Sequence, residues 1–417
     1  MPPLEFFRLQ TRTEVLALYD RFPSVGTEEV ELAAAHGRVL AVPIAAPEAV
    51  PGFLRATMDG YAVFAQDTFG ASVGAPQYLD IKGEVPMGVA PGRRVAGGET
   101  LRVPTGAMLP EGADAVVMLE YTAEHPDGTL EVRRAVAPGE NVLAPGEDVA
   151  AGATLFPAGR RLRPQEIGLL AALGVTHLTV YRRPWVAIIS SGDEIVPLNG
   201  RPGPGQVRDS NAYLAAAQVE EWGGLPQMYG IIPDDFNALQ QTLAAAQEES
   251  DLILISGGSS VGARDLTLTA IQALPGAEIL VHGVALRPGK PTILAALGPE
   301  GKKPLLGLPG HPASAAVVME VLGRPLLHRL CGLAGQASWG RTVTASLSRN
   351  LAGASGREDY VRVRLRPEGD TLWADPVLGP SGLLSPLVKS DGLVMIPLDV
   401  EGLFKGEPVV VQLFGGL

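Results

Sequence analysis

The sequence predicts a multidomain α/β and β fold: a mostly parallel α/β domain, a helical domain split into two halves, a β domain inserted between those halves, and a C-terminal β domain. Three observations support this. The chain has 417 residues, too many for one ordinary core, and at roughly 100–200 residues per domain two to four domains are expected. From 184 to about 331, β-like and helix-like segments alternate, the pattern of a parallel sheet covered on both faces. Between Pro43 and about 145, and again from 338 to 417, the runs are short and β-like, in a chain that holds 51 glycines and 36 prolines.

Taken in order, residues 11–42 read as two helices, with Thr13 capping "EVLALYDRF" and Thr27 capping "EEVELAAAHGRVLA". "YLDIKGEV", "ETLRVPTG", "DAVVMLE" and "TLEVRRAV" follow as short strands of a β domain without helices. "PAGRRLRPQEIGLLAALGVTHL" returns to helical spacing, with Pro164 at the first helical position and Gly174 at the stop. This helix rejoins residues 11–42 and so makes the β part an insertion.

The alternating stretch begins with "WVAIIS" as a strand and "SNAYLAAAQVEEWG" as a helix. "QMYGII", "LILIS", "EILVHGVAL", "TILAAL" and "LLGLPG" are further strands; "DDFNALQQTLAAAQEE", "DLTLTAIQAL" and "PASAAVVMEVLGRPLLHRL" are the remaining helices. Beyond 338, "EDYVRVRLR" alternates strictly and "EPVVVQLF" ends the chain in β.

Composition narrows the function. Hydrophobic content of 46% and charged content of 19% describe a globular chain. A net charge of −12 disfavours a nucleic-acid or anionic-membrane binder. Cys331 stands alone, which excludes an intrachain disulfide and suits a reducing cytoplasm. Neither a signal-type apolar run nor a stretch of about 18 apolar residues is present, so no membrane partner is expected.

The stretch "DLILISGGSSVGARD" (251–265) carries the first functional signal. A strand end followed by glycines lets backbone N–H groups approach an anion, beside a helix N-terminus. Ser256, Gly257, Gly258 and Ser259 are its candidate phosphate contacts. It is no P-loop: Ala263 and Arg264 follow Gly262 where Lys and Ser/Thr are required, and GxGxxG is also absent. "ISSGDEIV" (189–196) and "GLPGHPASA" (307–315) are two more glycine-bearing strand ends. They add Ser190, Ser191 and Gly192, then Pro309, Gly310 and Pro312, the last placed to start a helix. "LRPGKPT" (286–292) supplies the cations Arg287 and Lys290. Ligands collect at the carboxyl ends of strands in such a sheet, so the three turns are expected to meet along one edge. Glu194 and Asp265 are the preferred metal-site carboxylates, bridging a divalent ion to phosphate oxygens, and Asp265 also reads as a helix cap. Asp234, after "GIIP", reads either as a cap or as a further site carboxylate.

"SSGDEIV", "VRDSN", "SGGSSVGARD", "RPGKP" and "GLPGHP" resemble the molybdopterin-binding domain of molybdenum-cofactor proteins. "TMDGYAV" (57–63), "VPTGAMLPEGADAVV" (103–117) and "GENVLAPGEDV" (140–149) narrow the resemblance to the molybdopterin molybdenumtransferase family, which includes bacterial MoeA and the E domain of gephyrin. The likeness runs from about residue 5 to 417 in the family's order. It departs at Ser191, where Thr is frequent, at Arg287, where Lys is frequent, at His311, where Asn is frequent, and around Thr57. Arg287 keeps the charge but turns a point contact into a fork.

The resemblance implies an elongated homodimer with four parts: a helical domain at 1–44 plus 146–180, an inserted β domain at 45–145, the α/β domain at 181–332, and a β-barrel-like domain at 337–417. It implies transfer of molybdenum from molybdate to adenylylated molybdopterin with release of AMP, and Mg²⁺ or a similar divalent ion as cofactor. Asp59 in "MDGYA" and Asp148 in "GEDV" carry over as catalytic positions, although each also reads as a turn-capping Asp. Thr105 in "PTGA" carries over as a hydroxyl contact. In the implied chemistry a molybdate oxygen or a water attacks the AMP phosphorus, with Lys290 and Arg287 stabilising phosphate charge. A molybdopterin adenylyltransferase and a non-catalytic gephyrin-like scaffold are the alternatives; "MDGYA", "PTGA" and "GED" argue against the first. His311 is read as a surface or packed residue rather than a base.

Overall fold

A computed structural model describes residues 9–257, 261–333 and 341–415, and of 261–264 the helical backbone alone. Helix α1 (Arg12–Ala17) is capped by Thr11, not Thr13. Thr11 Oγ1 accepts from the Glu14 backbone N–H at 3.2 Å, and Glu14 Oε2 accepts from the Thr11 N–H at 2.7 Å. This reciprocal capping box satisfies two donors that a cap at Thr13 would leave open.

The second helix expected at 27–42 does not form. Thr27–Glu31 is strand β1, followed only by a 3₁₀ turn at Leu32–Ala34. The deciding contact is non-local. β1 runs antiparallel to a strand at His177–Tyr181, with Val30 opposite Leu178, and that ladder covers a core of Leu40, Leu162, Leu170 and Val180.

The inserted region is a curled six-stranded sheet with no α-helix. Its strands are β2 (Gly60–Val63), β3 (Gln77–Glu84), β4 (Glu99–Val103), β5 (Ala115–Met118), β6 (Thr122–Glu124) and β7 (Thr129–Val132), in the order β5-β2-β4-β3-β7-β6. Both faces are covered. Ala62, Leu101 and Val116 join one core, and Tyr61, Val63 and Val117 the other. Gly60 is required by this packing, because a Cβ there would lie 2.0 Å from the Val117 carbonyl oxygen.

Helix α2 (Pro164–Ala172) begins on proline and ends as expected at Gly174, whose φ is +70°. The Gly174 N–H bonds Ala171 O and the Val175 N–H bonds Leu170 O, a Schellman closure. Glu166, 3% exposed, accepts hydrogen bonds from Arg163 and Arg160 at 2.6 and 2.5 Å. The Arg163 hydrogen bond foremost, with that of Arg160, holds its carboxyl at about 2 against a usual 4.5. A depressed folded-state value stabilises the fold above the unfolded value and loses that contribution as pH falls from 4.5 towards 2. Glu166→Gln is therefore expected to lower stability at neutral pH by on the order of 2 kcal/mol and to flatten the loss between those limits. Urea midpoints of both proteins across that pH range test it.

After strand β8 (His177–Tyr181) comes the α/β region. Its sheet is formed by β9 (Trp185–Ser191), β10 (Leu225–Ile232), β11 (Leu252–Gly257), β12 (Glu278–His282), β14 (Ile293–Leu297) and β15 (Lys303–Leu308), while β13 (Leu286–Arg287) leaves the sheet to pair elsewhere. The order is β10-β9-β11-β15-β14-β12. The first four strands are mutually parallel; β14 lies antiparallel between β15 and β12. β9 and β11 are apolar runs buried on both faces, as a covered parallel sheet requires. Helices α3 (Asn211–Glu221), α4 (Phe236–Glu249) and α5 (Val261–Gln272) alternate with the strands. Arg161 and Arg183 donate to the carbonyls of Trp222 and Gly224 at 2.8 and 2.7 Å, closing the C-terminus of α3. The expected closing helix is α6 (Pro312–Val318) and α7 (Arg324–Leu330), joined by a π turn at Met319–Gly323. Pro325 has no N–H for the α-helical ladder, and the π turn absorbs the break.

The C-terminal strands β16 (Thr342–Leu347), β17 (Glu358–Glu368), β18 (Thr371–Pro376), β19 (Gly392–Ile396) and β20 (Pro408–Leu413) close on themselves as β17-β18-β16-β20-β19-β17. This is a five-stranded barrel around Leu347, Val363, Ala374, Val394 and Val411. β13 pairs in parallel with β17, Arg287 opposite Asp359, and so ties the α/β region to the barrel.

Candidate functional site

Three of the parallel strands end side by side. Ser191 at the end of β9 is the ladder partner of Gly257 at the end of β11, and Ser256 is the partner of Leu308 at the end of β15. The carboxyl ends of these three strands, where Gly192, Gly257 and Gly310 stand, therefore meet on one rim. Two of these positions require glycine. A Cβ on Gly257 would lie 2.2 Å from the Ser191 carbonyl oxygen. Gly192 has φ of +149°, and a Cβ there would lie 2.6 Å from a carboxylate oxygen of Glu194, which folds back over it.

The rim opens into two cavities that share Gly257, Gly310 and His311. The first, about 340 Å³, is cationic, with Arg287, Lys290 and Arg357 beside Pro309. The Lys290 ammonium has no ion-pair or hydrogen-bond partner among the described residues, whereas Arg287 lies 2.5 Å from Asp359 of the barrel. The second, about 540 Å³, holds Glu194, Ser256, Asn211 and Pro312. Asn211 donates its amide to Gly310 O at 2.9 Å and leaves its buried Oδ1 without a partner. Pro312 starts α6, so its missing N–H leaves no donor open.

Other expected residues are placed differently. Ser190 is fully buried and lines neither cavity. Ser191 is also buried, and its hydroxyl donates to Asp234 Oδ1 at 2.9 Å, while the Asp234 N–H is held by Asp193 Oδ1 at 3.2 Å. Asp234 is thus no helix cap; Asp235 caps α4, accepting from the Ala238 N–H. Asp265 is no cap either, since α5 begins four residues earlier at Val261, leaving Asp265 exposed within the helix. Gly258 and Ser259 lie outside the described residues.

Asp59 and Thr105 lie elsewhere in the protomer. Asp59 Oδ1 accepts the Thr105 N–H at 2.6 Å, and that hydrogen bond holds its carboxyl below the usual carboxylate range. Asp59 lines a cavity of about 520 Å³ with Glu84, Met87 and Arg102, to which no described residue of the α/β region contributes. Asp148 is exposed in a turn, its N–H bonded to Val50 O, and lines none of these cavities.

Sequence reasoning missed Arg357, Ser381 and Asp359, all from the C-terminal part. Ser381 Oγ lies 2.8 Å from His311 Nδ1, and the Ala313 N–H bonds Ser381 O, so this loop closes over the start of α6. For Arg357 and Ser381 the turn residues around them, "SGR" and "GPSGL", were the available signal; Asp359, inside a strand, had none.

Among the described residues no three His, Cys, Asp or Glu side chains gather closely enough to hold a metal by themselves. The donor set fits Mg²⁺ in its usual setting, where one or two carboxylates combine with ligand phosphates. Glu194, which lines the second cavity, offers such a carboxylate.

Comparisons with known proteins agree with this layout. The chain matches the MoeA N-terminal region (domain I and II) over residues 9–174, the "probable molybdopterin binding domain" over 187–329, and the MoeA C-terminal region (domain IV) over 344–414. It is 36% identical to a molybdopterin molybdenumtransferase of Nostoc, covering 92% of this chain and 88% of the other. A molybdopterin molybdenumtransferase of Bacillus subtilis is 32% identical, over 93% and 90%. The crystal structure of a molybdopterin biosynthesis MoeA protein from Pyrococcus horikoshii superimposes with a TM-score of 0.85 at 31% identity, covering 98% of this chain and 100% of the other.

Proposed function

Because this chain belongs to the molybdopterin molybdenumtransferase (MoeA) family, we propose that it takes adenylylated molybdopterin and molybdate, places molybdenum on the dithiolene, and releases AMP. It is an enzyme of molybdenum-cofactor biosynthesis. The observation that carries the reaction is the pair of cavities sharing Gly257, Gly310 and His311, one cationic and one holding a carboxylate. A ligand of two parts joined through phosphates suits two lobes joined at a glycine-lined waist. Lys290, its ammonium free of any described partner, holds phosphate charge as it develops. Gly257 and Gly310 add no side chain to the waist, where His311 is the third shared residue.

Mg²⁺ belongs with Glu194, and with Asp265 as a second carboxylate; when bound it neutralises phosphate charge and acts as a Lewis acid. Asp59, Asp148 and Thr105 act in the same reaction from a second copy of the chain, as a homodimer. No helix among the described residues is long and apolar enough to cross a membrane, and the placement of the enzyme is cytoplasmic in this proposal.

The test is conversion of adenylylated molybdopterin by the purified protein with molybdate and Mg²⁺. Release of AMP in step with molybdenum bound to pterin is expected, with kcat/KM lowered on the order of 100-fold in Lys290→Met. AMP formed at the same yield without molybdate, or adenylylation of molybdopterin from ATP, would count against the proposal.

A further inference from the structure

Asp359 belongs to the barrel, yet its carboxylate lies between two arginines of the cationic cavity. It is 1% exposed. Arg357 Nε donates to its Oδ1 at 3.2 Å. Arg287 Nη2 lies 2.5 Å from its Oδ2, but too obliquely for a hydrogen bond, so this contact is an ion pair. The backbone sets the arrangement, since Arg287 and Asp359 are register partners where β13 and β17 run in parallel. Adjacent register positions in a ladder place their side chains on the same face.

We propose that Asp359 is a positioning residue of the transfer site: one buried carboxylate ties Arg287 and Arg357 side by side so that their remaining N–H groups grip a single phosphate of the ligand. This rests on the function proposed above. A guanidinium carries five N–H donors in a rigid fork, and Asp359 engages only part of each set. Untied, each arginine is a long side chain whose rotamer freedom is lost on gripping a ligand. Tied, both are held before the ligand arrives. The trio carries one net positive charge, and Lys290 adds a second that nothing described neutralises. A buried ion pair is in itself weak evidence for a stabilising role, because exchange of the whole pair for apolar side chains is often neutral or stabilising.

Asp359→Asn keeps the shape and removes the charge. KM for adenylylated molybdopterin is expected to rise about tenfold with kcat within about threefold, although the cavity becomes more positive. An unchanged or lower KM overturns the proposal, because a carboxylate that merely tempered charge would tighten anion binding when removed. In the cycle with Arg357→Gln, the double variant is expected within about twofold of the worse single variant, whereas KM increases that multiply overturn the tie. Should Asp359→Asn fail to fold, Arg287→Gln and Arg357→Gln are read together on native Asp359, where increases that do not multiply support the tie and increases that multiply refute it. Calorimetric titration with inorganic pyrophosphate separates this idea from the function it rests on. A protein without molybdenum insertion whose pyrophosphate affinity falls about tenfold in Asp359→Asn keeps the positioning role and loses the function. Insertion with neither KM nor pyrophosphate affinity altered does the reverse.

Discussion

Gly257→Ala is expected to lower kcat/KM by on the order of 100-fold or more, while the protein stays folded with its melting temperature down by about 5 °C. The added Cβ would lie 2.2 Å from the Ser191 carbonyl oxygen and 2.9 Å from the Ser191 carbonyl carbon. Neither is the far end of a flexible side chain. Both belong to β9, a central strand held between β10 and β11 and packed against buried helices. Relief must come from the backbone, so the ends of β9 and β11 separate just where the rim is built. Overpacking of this kind costs about 1–3 kcal/mol. Its effect on the site is larger than its effect on the fold, because a misplacement near 1 Å at a reacting centre is worth about 100-fold in rate. Gly26→Ala, which would meet no atom within 4 Å, is the control and is expected to leave both quantities unchanged. Steady-state kinetics with calorimetry check the contrast. A Gly257→Ala enzyme within about threefold of the parent would place the reaction away from this turn.

The contrast between legible and illegible features follows the range of the interactions involved. Pro164 and Gly174 bracket α2 because both act through their own φ angles, and a local cause leaves a local signature. The apolar runs "WVAIIS" and "LILIS" identify central strands because burial on both faces requires apolar residues throughout. Residues 27–31 fail the same approach. "TEEVE" has a capping threonine and first-turn acids, but Leu178 and Val180, some 150 positions later, offer a ladder that outweighs helix propensity.

The site divides likewise. Glycines, Pro312, Lys290 and Glu194 are visible as turn chemistry after strands, and they meet because β9, β11 and β15 are neighbours. Neither Asp234 nor Asp265 is a helix cap: Asp234 and Asp235 offer equal local cues, and Asp235 wins at α4 while Asp234 takes the Ser191 hydroxyl, whereas α5 is already helical from Val261, four residues before Asp265. Asp359 is invisible beforehand, since nothing near it in sequence announces that β17 will run beside Arg287.

Mixing Asp59→Ala and Glu194→Ala subunits is expected to recover about a quarter of parental activity, although each variant alone loses on the order of 100-fold or more. The reason is the separation within one protomer. Glu194 lies on the rim of the α/β sheet, whereas Asp59 lines a cavity to which no described residue of the α/β region contributes. Asp59 is nonetheless prepared for chemistry: the Thr105 N–H holds it charged, and Gly60 fixes its strand against Val117. If both carboxylates serve one reaction, they meet across a two-fold interface, and every active site is composite. Random reassociation makes about half of the dimers hybrid. In each hybrid one site combines an intact Glu194 with an intact Asp59, and the other lacks both, which gives about one quarter overall. Glu194→Ala mixed with Lys290→Met is the control, because both changes fall on the same side of the composite site and no hybrid restores it. Native mass spectrometry counts the hybrids, and AMP release measures the recovery. Hybrid dimers without recovered activity would return Asp59 to a purely structural role at the start of β2.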